Sequence, residues 1–270
     1  MTTIPFALNH MTAPGLSLDD FFALAVSLGM RGVEIRNDLS VNAIIDGTPA
    51  GTVKALAEEH GVRIISINAL QRFNDWSDTR AAEAQMLIDY ARDCGAEALV
   101  LVPVNDGSGQ ADGERQANLR AALVALRPML EGAGITGFVE PLGFEICSLR
   151  SKTEAVEAIR ELGFEPIFKL VHDTFHHHLA GEGIFYPEMT GLVHISGVSD
   201  PAVPVSAMRD SHRILVDGAD RLDTAGQAQF LLRAGYQGLF SFEPFASSVH
   251  SLAHPAAELR HSMDYLSGSI

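Results

Sequence analysis

Eight times along the chain, a short apolar run gives way to a longer segment whose apolar residues recur at helical spacing. The runs read as strands at 4–8, 32–35, 63–68, 98–102, 135–140, 167–172, 192–196 and 239–242. The segments between them read as helices at 19–28, 48–60, 78–94, about 114–131, 151–162, a short turn after strand six, 224–234 and 255–266. Punctuation agrees with the pattern. Ser17-Leu18-Asp19-Asp20 has the form of a capping box, Thr48 stands as a cap before a first-turn proline at Pro49, and Gly29, Gly61, Gly95, Gly163 and Gly235 close helices. Eight strand–helix units without a linker predict one α/β domain over 1–270, closed as a (β/α)8 barrel. The strands are near-continuously apolar, as parallel strands covered on both faces must be. An open doubly wound sheet would want a glycine-rich phosphate turn after strand one, and residues 9–15 contain no G-x-G-x-x-G.

Side chains at the carboxyl ends of barrel strands converge on one mouth, so the polar residues there carry the functional information. Strand five ends in Glu140, six in Asp173, seven carries His194 and eight ends in Glu243. Glu140 and Glu243 have matching contexts, Phe138-Val139-Glu140-Pro141 and Phe242-Glu243-Pro244, an apolar strand stopped by an acid and then by a residue that cannot continue the ladder. Three carboxylates crowded together repel, and a divalent cation removes that conflict. Three oxygen donors with one imidazole suit Mn, Mg or Co at least as well as Zn. One such acid alone reads as an ordinary strand end. Four polar groups at one level on consecutive strands read as a metal site.

Other residues have two readings each. His176 is placed to donate to a substrate oxygen, or is a helix-face histidine, while His177 and His178 read as structural or solvated. Arg213, in the long loop after strand seven, could hold a substrate oxygen or lie on the surface, and Arg209 competes for that role. Glu34 and Arg36 close strand two and are expected to pair with each other. Asn68 closes strand three and could reach the mouth. Lys169 alternates onto the face of Asp173 and is expected to pair with an acid inside the barrel. Phe73 and Trp76 form either an apolar wall or plain packing.

Charge narrows the partners. The chain carries a net −15 with no basic run, which argues against nucleic acid and anionic membranes. Cys94 and Cys147 stand apart, so neither a disulfide framework nor a cysteine zinc site is expected. Hydrophobic residues make up 47%, enough for a sizeable core, yet no run reaches the roughly 20 residues that span a bilayer. The first five residues, Met1-Thr2-Thr3-Ile4-Pro5, lack the pattern of a signal peptide, so the expectation is a cytoplasmic protein.

Taken together, several segments resemble the xylose-isomerase-like TIM-barrel superfamily of sugar isomerases and epimerases, and within it the 2-keto-myo-inositol (inosose) isomerases. They are Gly32-Val33-Glu34-Ile35-Arg36, Ile67-Asn68-Ala69-Leu70 with Phe73-Asn74, Val102-Pro103, Phe138-Val139-Glu140, His172–His178, Val193-His194-Ile195 and Ser241-Phe242-Glu243, in the family's order over nearly the whole chain. The resemblance implies one divalent metal ion held by Glu140, Asp173, His194 and Glu243, with His176 and Arg213 beside the substrate and Asn68 and Arg36 near it. It also implies a homo-oligomer. Relatives often follow the arginine after strand seven with Pro-Gly-x-Gly, whereas Arg213 is followed by Ile214-Leu215-Val216-Asp217-Gly218-Ala219. The expected chemistry is proton abstraction beside the ketone of a keto-inositol or similar polyol, giving an enediolate, with Glu140 and Glu243 on opposite faces of the substrate. The alternatives are a ketose 3-epimerase or hydroxypyruvate-type isomerase, a 3-dehydroshikimate dehydratase, and a non-catalytic sugar-binding barrel.

Overall fold

The computed structural model describes residues 4–40 and 43–270, so residues 1–3 of the amino-terminal stretch considered above lie outside it. Eight parallel strands close into a barrel in sequence order: β1 (Phe6–Asn9), β2 (Gly32–Arg36), β3 (Arg63–Gln71), β4 (Ala98–Val102), β5 (Thr136–Val139), β6 (Phe168–Asp173), β7 (Thr190–Ile195) and β8 (Phe240–Phe242). Closure is made by β8 against β1, in the register Ala7 with Ser241 and Leu8 with Phe242. The main helices are α1 (Leu18–Ser27), α2 (Ala50–His60), α3 (Asp78–Cys94), α4 (Glu114–Ala133), α5 (Lys152–Glu161), α6 (Thr174–Ala180), α7 (Thr224–Arg233), a single turn α8 (Ser247–His250) and α9 (Pro255–Gly268).

The local signals act largely as the residues dictate. Ser17 Oγ accepts from the Asp20 N–H and opens α1, and Ser151 Oγ does the same for Glu154 at α5. Gly61 and Gly95 close α2 and α3 with φ of 65° and 79°, a region that β-carbon sterics make costly for other residues. Two details differ from the sequence reading. Helix α2 starts one residue later: Pro49 is its cap, with no side-chain cap bond, and the Thr48 N–H donates to Asp46 instead. Strand β3 runs on to Gln71, because the apolar run beyond Asn68 keeps pairing with β4 through Leu70 and Gln71.

The core has two layers. The larger lies between strands and helices. The smaller fills the barrel with Ala7, Ile65, Ala98, Val100, Phe138, Val171 and Leu192. That apolar plug closes the barrel below and leaves the buried carboxylates and His194 toward the strands' carboxyl ends. Lys169, at the opposite end, is half-buried and has no ion pair among the described residues. The expected internal partner is not there because Phe138 and Val171, not acids, surround that level of the barrel. Phe73 is wholly buried and Trp76 packs against the same core, so both serve packing. Cys94 and Cys147 are free and buried. Among the described residues, no helix is long and apolar enough to cross a membrane.

Candidate metal centre and active site

Glu140 and Glu243 occupy equivalent positions, each one residue past the end of its strand. The Glu140 N–H still donates to Leu101 O of β4 at 3.1 Å, and the Glu243 N–H to Ile195 O of β7 at 2.9 Å. The neighbouring strand therefore holds each acid at the rim before proline ends the ladder. Asp173 ends β6 and caps α6: its Oδ1 accepts from the His176 N–H at 2.9 Å, which turns Oδ2 toward the barrel axis. His194 lies inside β7, in register with Asp173 on one side and Ser241 on the other. One ligand atom from each of Glu140, Asp173, His194 and Glu243 lies within 4.8 Å of the other three, and all four residues are buried.

His194 organises this cluster. Its Nδ1 is 2.9 Å from Glu140 Oε1, 3.2 Å from Glu243 Oε2 and 3.9 Å from Asp173 Oδ2, and its Nε2 is 3.1 Å from Glu34 Oε2. Burial alone would lower the imidazole pKa, but Glu243, Glu34 and Glu140 outweigh it and raise it well above the ordinary value. Glu34 is fixed from below by Ser66 (2.6 Å), Asn68 Nδ2 (2.7 Å) and the Ser241 hydroxyl. Burial pushes its carboxyl up, yet His194 brings the balance below the usual carboxylate range. The expected Glu34–Arg36 pair does not form. Both side chains point inward, but Glu34 sits beneath His194, whereas Arg36 reaches Glu243 at 2.7 Å and Asp38 at 2.8 Å. Asn68 is in register with Arg36, is wholly buried, and turns its amide to Glu34 and Ser66.

Backbone contacts place Arg213 and Arg209 differently. Ile214 pairs with Gly197 beyond β7, and Arg213 O accepts from the N–H groups of Phe245 and Ala246 beyond β8. This ties Arg213 across the mouth at 1% exposure. Its guanidinium donates to Asp173 at 2.6 Å, Glu243 at 3.0 Å and Ser196 at 3.0 Å, and it lies over Phe245 and Phe175. Arg209 stays exposed, over the ring of Phe144. His176 accepts the Gly143 N–H at Nδ1 (3.1 Å), which leaves its Nε2 as the donor, and Phe144 and Phe175 meet the ring edge-on.

The two glutamates differ in their company. Arg36 and Arg213 both bind Glu243, and with His194 they overcome the effect of burial and hold its carboxyl well below the usual range. Among the described residues, Glu140 has no guanidinium partner. Burial, with Glu243 and Asp173 nearby, leaves its carboxyl raised despite His194. Four buried carboxylates, Glu34, Glu140, Asp173 and Glu243, thus face two buried guanidiniums, Arg36 and Arg213. The negative excess, the short mutual distances and the oxygen-rich donor set fit a divalent cation held by Glu140, Asp173, His194 and Glu243.

Two further groups were not legible in sequence. Glu34 shares inward strand parity with Arg36, but its partner His194 lies 160 residues away across the barrel. Lys152, which reads as part of a helix cap, is buried behind β6, with its Nζ 2.9 Å from His172 Nδ1 and 2.6 Å from His177 Nδ1. Nothing in the local sequence signals that.

The xylose isomerase-like TIM barrel family matches residues 22–268. A xylose isomerase domain-containing protein from Salmonella typhimurium LT2 is 36% identical, with a TM-score of 0.89 over 98% of this chain and 97% of that one. The IOLI protein, solved with a bound zinc atom, is 20% identical with a TM-score of 0.86, covering 99% of each chain. D-allulose 3-epimerase from Methylomonas sp., solved with D-allulose, is 19% identical with a TM-score of 0.70, covering 100% of this chain and 96% of that one. The last two likenesses show a shared fold. No curated protein sequence matches the chain.

Proposed function

Because the chain belongs to the xylose isomerase-like TIM barrel family, we propose that it is a metal-dependent isomerase that moves a ketone between adjacent carbons of a keto-inositol or similar keto-polyol. The observation that carries this reading is the convergence of Glu140, Asp173, His194 and Glu243, from the ends of four successive strands, to within 4.8 Å in a buried pocket. Neighbours in fold that are named for a ketose epimerase or for a bound zinc atom agree with it.

When bound, a divalent cation supplies Lewis-acid charge to a carbonyl oxygen. The chain's own residues do the rest. Glu140, with no guanidinium contact among the described residues, takes the proton from the hydroxyl-bearing carbon beside the ketone and returns it to the former ketone carbon, while the proton of that hydroxyl passes to the former ketone oxygen. Glu243, pinned by Arg36 and Arg213, remains an anion on the other side of the centre. His176 donates from Nε2 to a substrate oxygen, and Arg213 steadies the negative charge that develops. The phenyl rings of Phe144, Phe175 and Phe245 keep the donors out of bulk water, where their charges would be screened.

The test is solvent-deuterium incorporation and product analysis with Mn, Co, Mg or Zn, on a panel of inososes, ketohexoses, hydroxypyruvate and 3-dehydroshikimate. Exchange with a shifted ketone supports the proposal. Inversion at one carbon makes the chain an epimerase, and loss of water makes it a dehydratase. Metal-independent binding without exchange on any member overturns enzymatic function.

A further inference from the structure

Beside the carboxylate cluster lies a cavity of about 480 Å³, lined by Phe144, Ile146, Leu179 and Val205 on its apolar sides and by Asn105, Arg150 and Arg209 among its polar groups. Pockets for small molecules run from about 300 to 1,000 Å³. Its walls touch His176 and Arg213, the two residues that flank the cluster. The Gly143 N–H that lines it donates to His176, Phe144 meets the His176 ring at 5.0 Å, and Asp210 is 3.4 Å from the Arg213 guanidinium. Ligand in this cavity is therefore one side chain away from the reacting centre.

The charges in the cavity are unusual for a chain of net −15. Arg150 donates only to carbonyls, Gly143 O and Leu179 O, each at 2.7 Å. Arg209 likewise donates to Ser206 O at 3.0 Å and Met208 O at 2.6 Å. Carbonyls accept hydrogen bonds but supply no countercharge, and neither guanidinium has an ion-pair partner among the described residues. The acids nearby do not fill that role: Asp210 is turned to Arg213, and Glu145 is exposed. Asn105 adds a second signal, since its Oδ1 is buried without a hydrogen-bond partner. A buried acceptor in that state accepts from a water or from a ligand that displaces it.

We propose that the substrate is a keto-polyol bearing an acid group, carboxylate or phosphate, which Arg209 and Arg150 receive in this cavity while a hydroxyl donates to Asn105 Oδ1 and the reacting carbons lie at the carboxylate cluster. The inference rests on the isomerase reading and narrows its substrate class. Arg150 is half-buried and Arg209 is exposed, so the two guanidiniums offer a charged rim to a group entering from solvent.

The experiment compares matched ketoses, neutral, carboxylated and phosphorylated, by solvent-deuterium exchange in the metal-loaded full chain and in Arg209→Gln, whose exposed position leaves the fold intact by thermal melt. The expected result is a kcat/KM about tenfold or more higher for one acid-bearing series, with Arg209→Gln raising KM for that series about tenfold and kcat changing less. Whichever series gains identifies the acid. Equal or better use of neutral ketoses, with Arg209→Gln affecting all series alike, overturns the inference and leaves the isomerase reading standing. Should no ketose exchange deuterium, the isomerase reading falls, and calorimetric titration with inorganic phosphate and with malonate decides the cavity by itself. Binding that Arg209→Gln weakens about tenfold supports the anion site, and absence of binding overturns it.

Discussion

Glu34 Oε2 lies 3.1 Å from His194 Nε2, while Nδ1 of the same ring faces Glu140, Glu243 and Asp173. An imidazole that donates from one nitrogen to a carboxylate presents the other, with its lone pair, to a cation. Glu34 thus decides that His194 would bind metal through Nδ1, although Glu34 itself is not among the four ligand residues.

Glu34→Gln keeps a hydrogen-bonding group of the same size and removes the charge that fixes the ring. Metal affinity should fall about 10- to 100-fold, measured by competition against a chelator. Unchanged affinity would show that Ser241 and the barrel wall suffice to orient His194.

Glu140→Gln should cut turnover by a factor of about 10² to 10⁴ while the thermal midpoint of the variant stays close to that of the parent. Deuterium exchange into the substrate is the readout that isolates proton transfer. Near-parental exchange rates would remove Glu140 from the proton-transfer role.

Arg213 donates to Asp173 and Glu243, two of the carboxylates that would hold a divalent cation. In chelator, Arg213→Met should lose about 3 to 5 kcal/mol, because buried Asp173 loses its guanidinium and Glu243 one of its two. Saturating divalent metal should restore a larger part of the midpoint in the variant than it adds to the parent. For the parent, metal at 100 times its Kd should add about 2.7 kcal/mol, and chelation should remove it together with activity. Equal metal-induced shifts in both proteins would show that the guanidinium and the ion act independently.

Lys152 gives the stability a pH dependence of known sign. Burial pulls its pKa from the ordinary 10.5 down to about 7, against the opposing pull of Glu182 and Asp173. Between those values the unfolded chain holds a proton that the folded chain lacks, so through this group stability rises with pH, and below about 7 the full cost of burying the cation is present. Lys152→Met removes that term and leaves a constant penalty for the Nδ1 atoms of His172 and His177. The midpoint of Lys152→Met relative to the parent should therefore be most favourable below pH 7 and decline toward pH 10.5. A difference independent of pH would mean that Lys152 titrates normally in its pocket.

The barrel and the four acid or imidazole corners could be read from the chain because each rests on local rules. Apolar runs with a stop, helix caps, and prolines after Glu140 and Glu243 all act within a few residues. Strand parity then places Asp173 and His194 on the inner face. The partners of Glu34 and Arg36 obey no such rule. Glu34 meets His194 at a separation of 160 residues and Arg36 meets Glu243 at 207, and both contacts exist only because β8 closes on β1. The burial of Arg213 at the cluster likewise depends on the bridge of Ile214 to Gly197 and on the turn after β8. Lys152 and the cavity under Arg209 depend on how neighbouring loops pack, which no local pattern encodes.

By itself, then, the sequence determined the architecture and the residues able to reach the mouth, since backbone periodicity and chain punctuation are short-range forces. Tertiary structure alone decided which of those residues touch, because charge pairing in a closed barrel is set by distances across it and not along the chain.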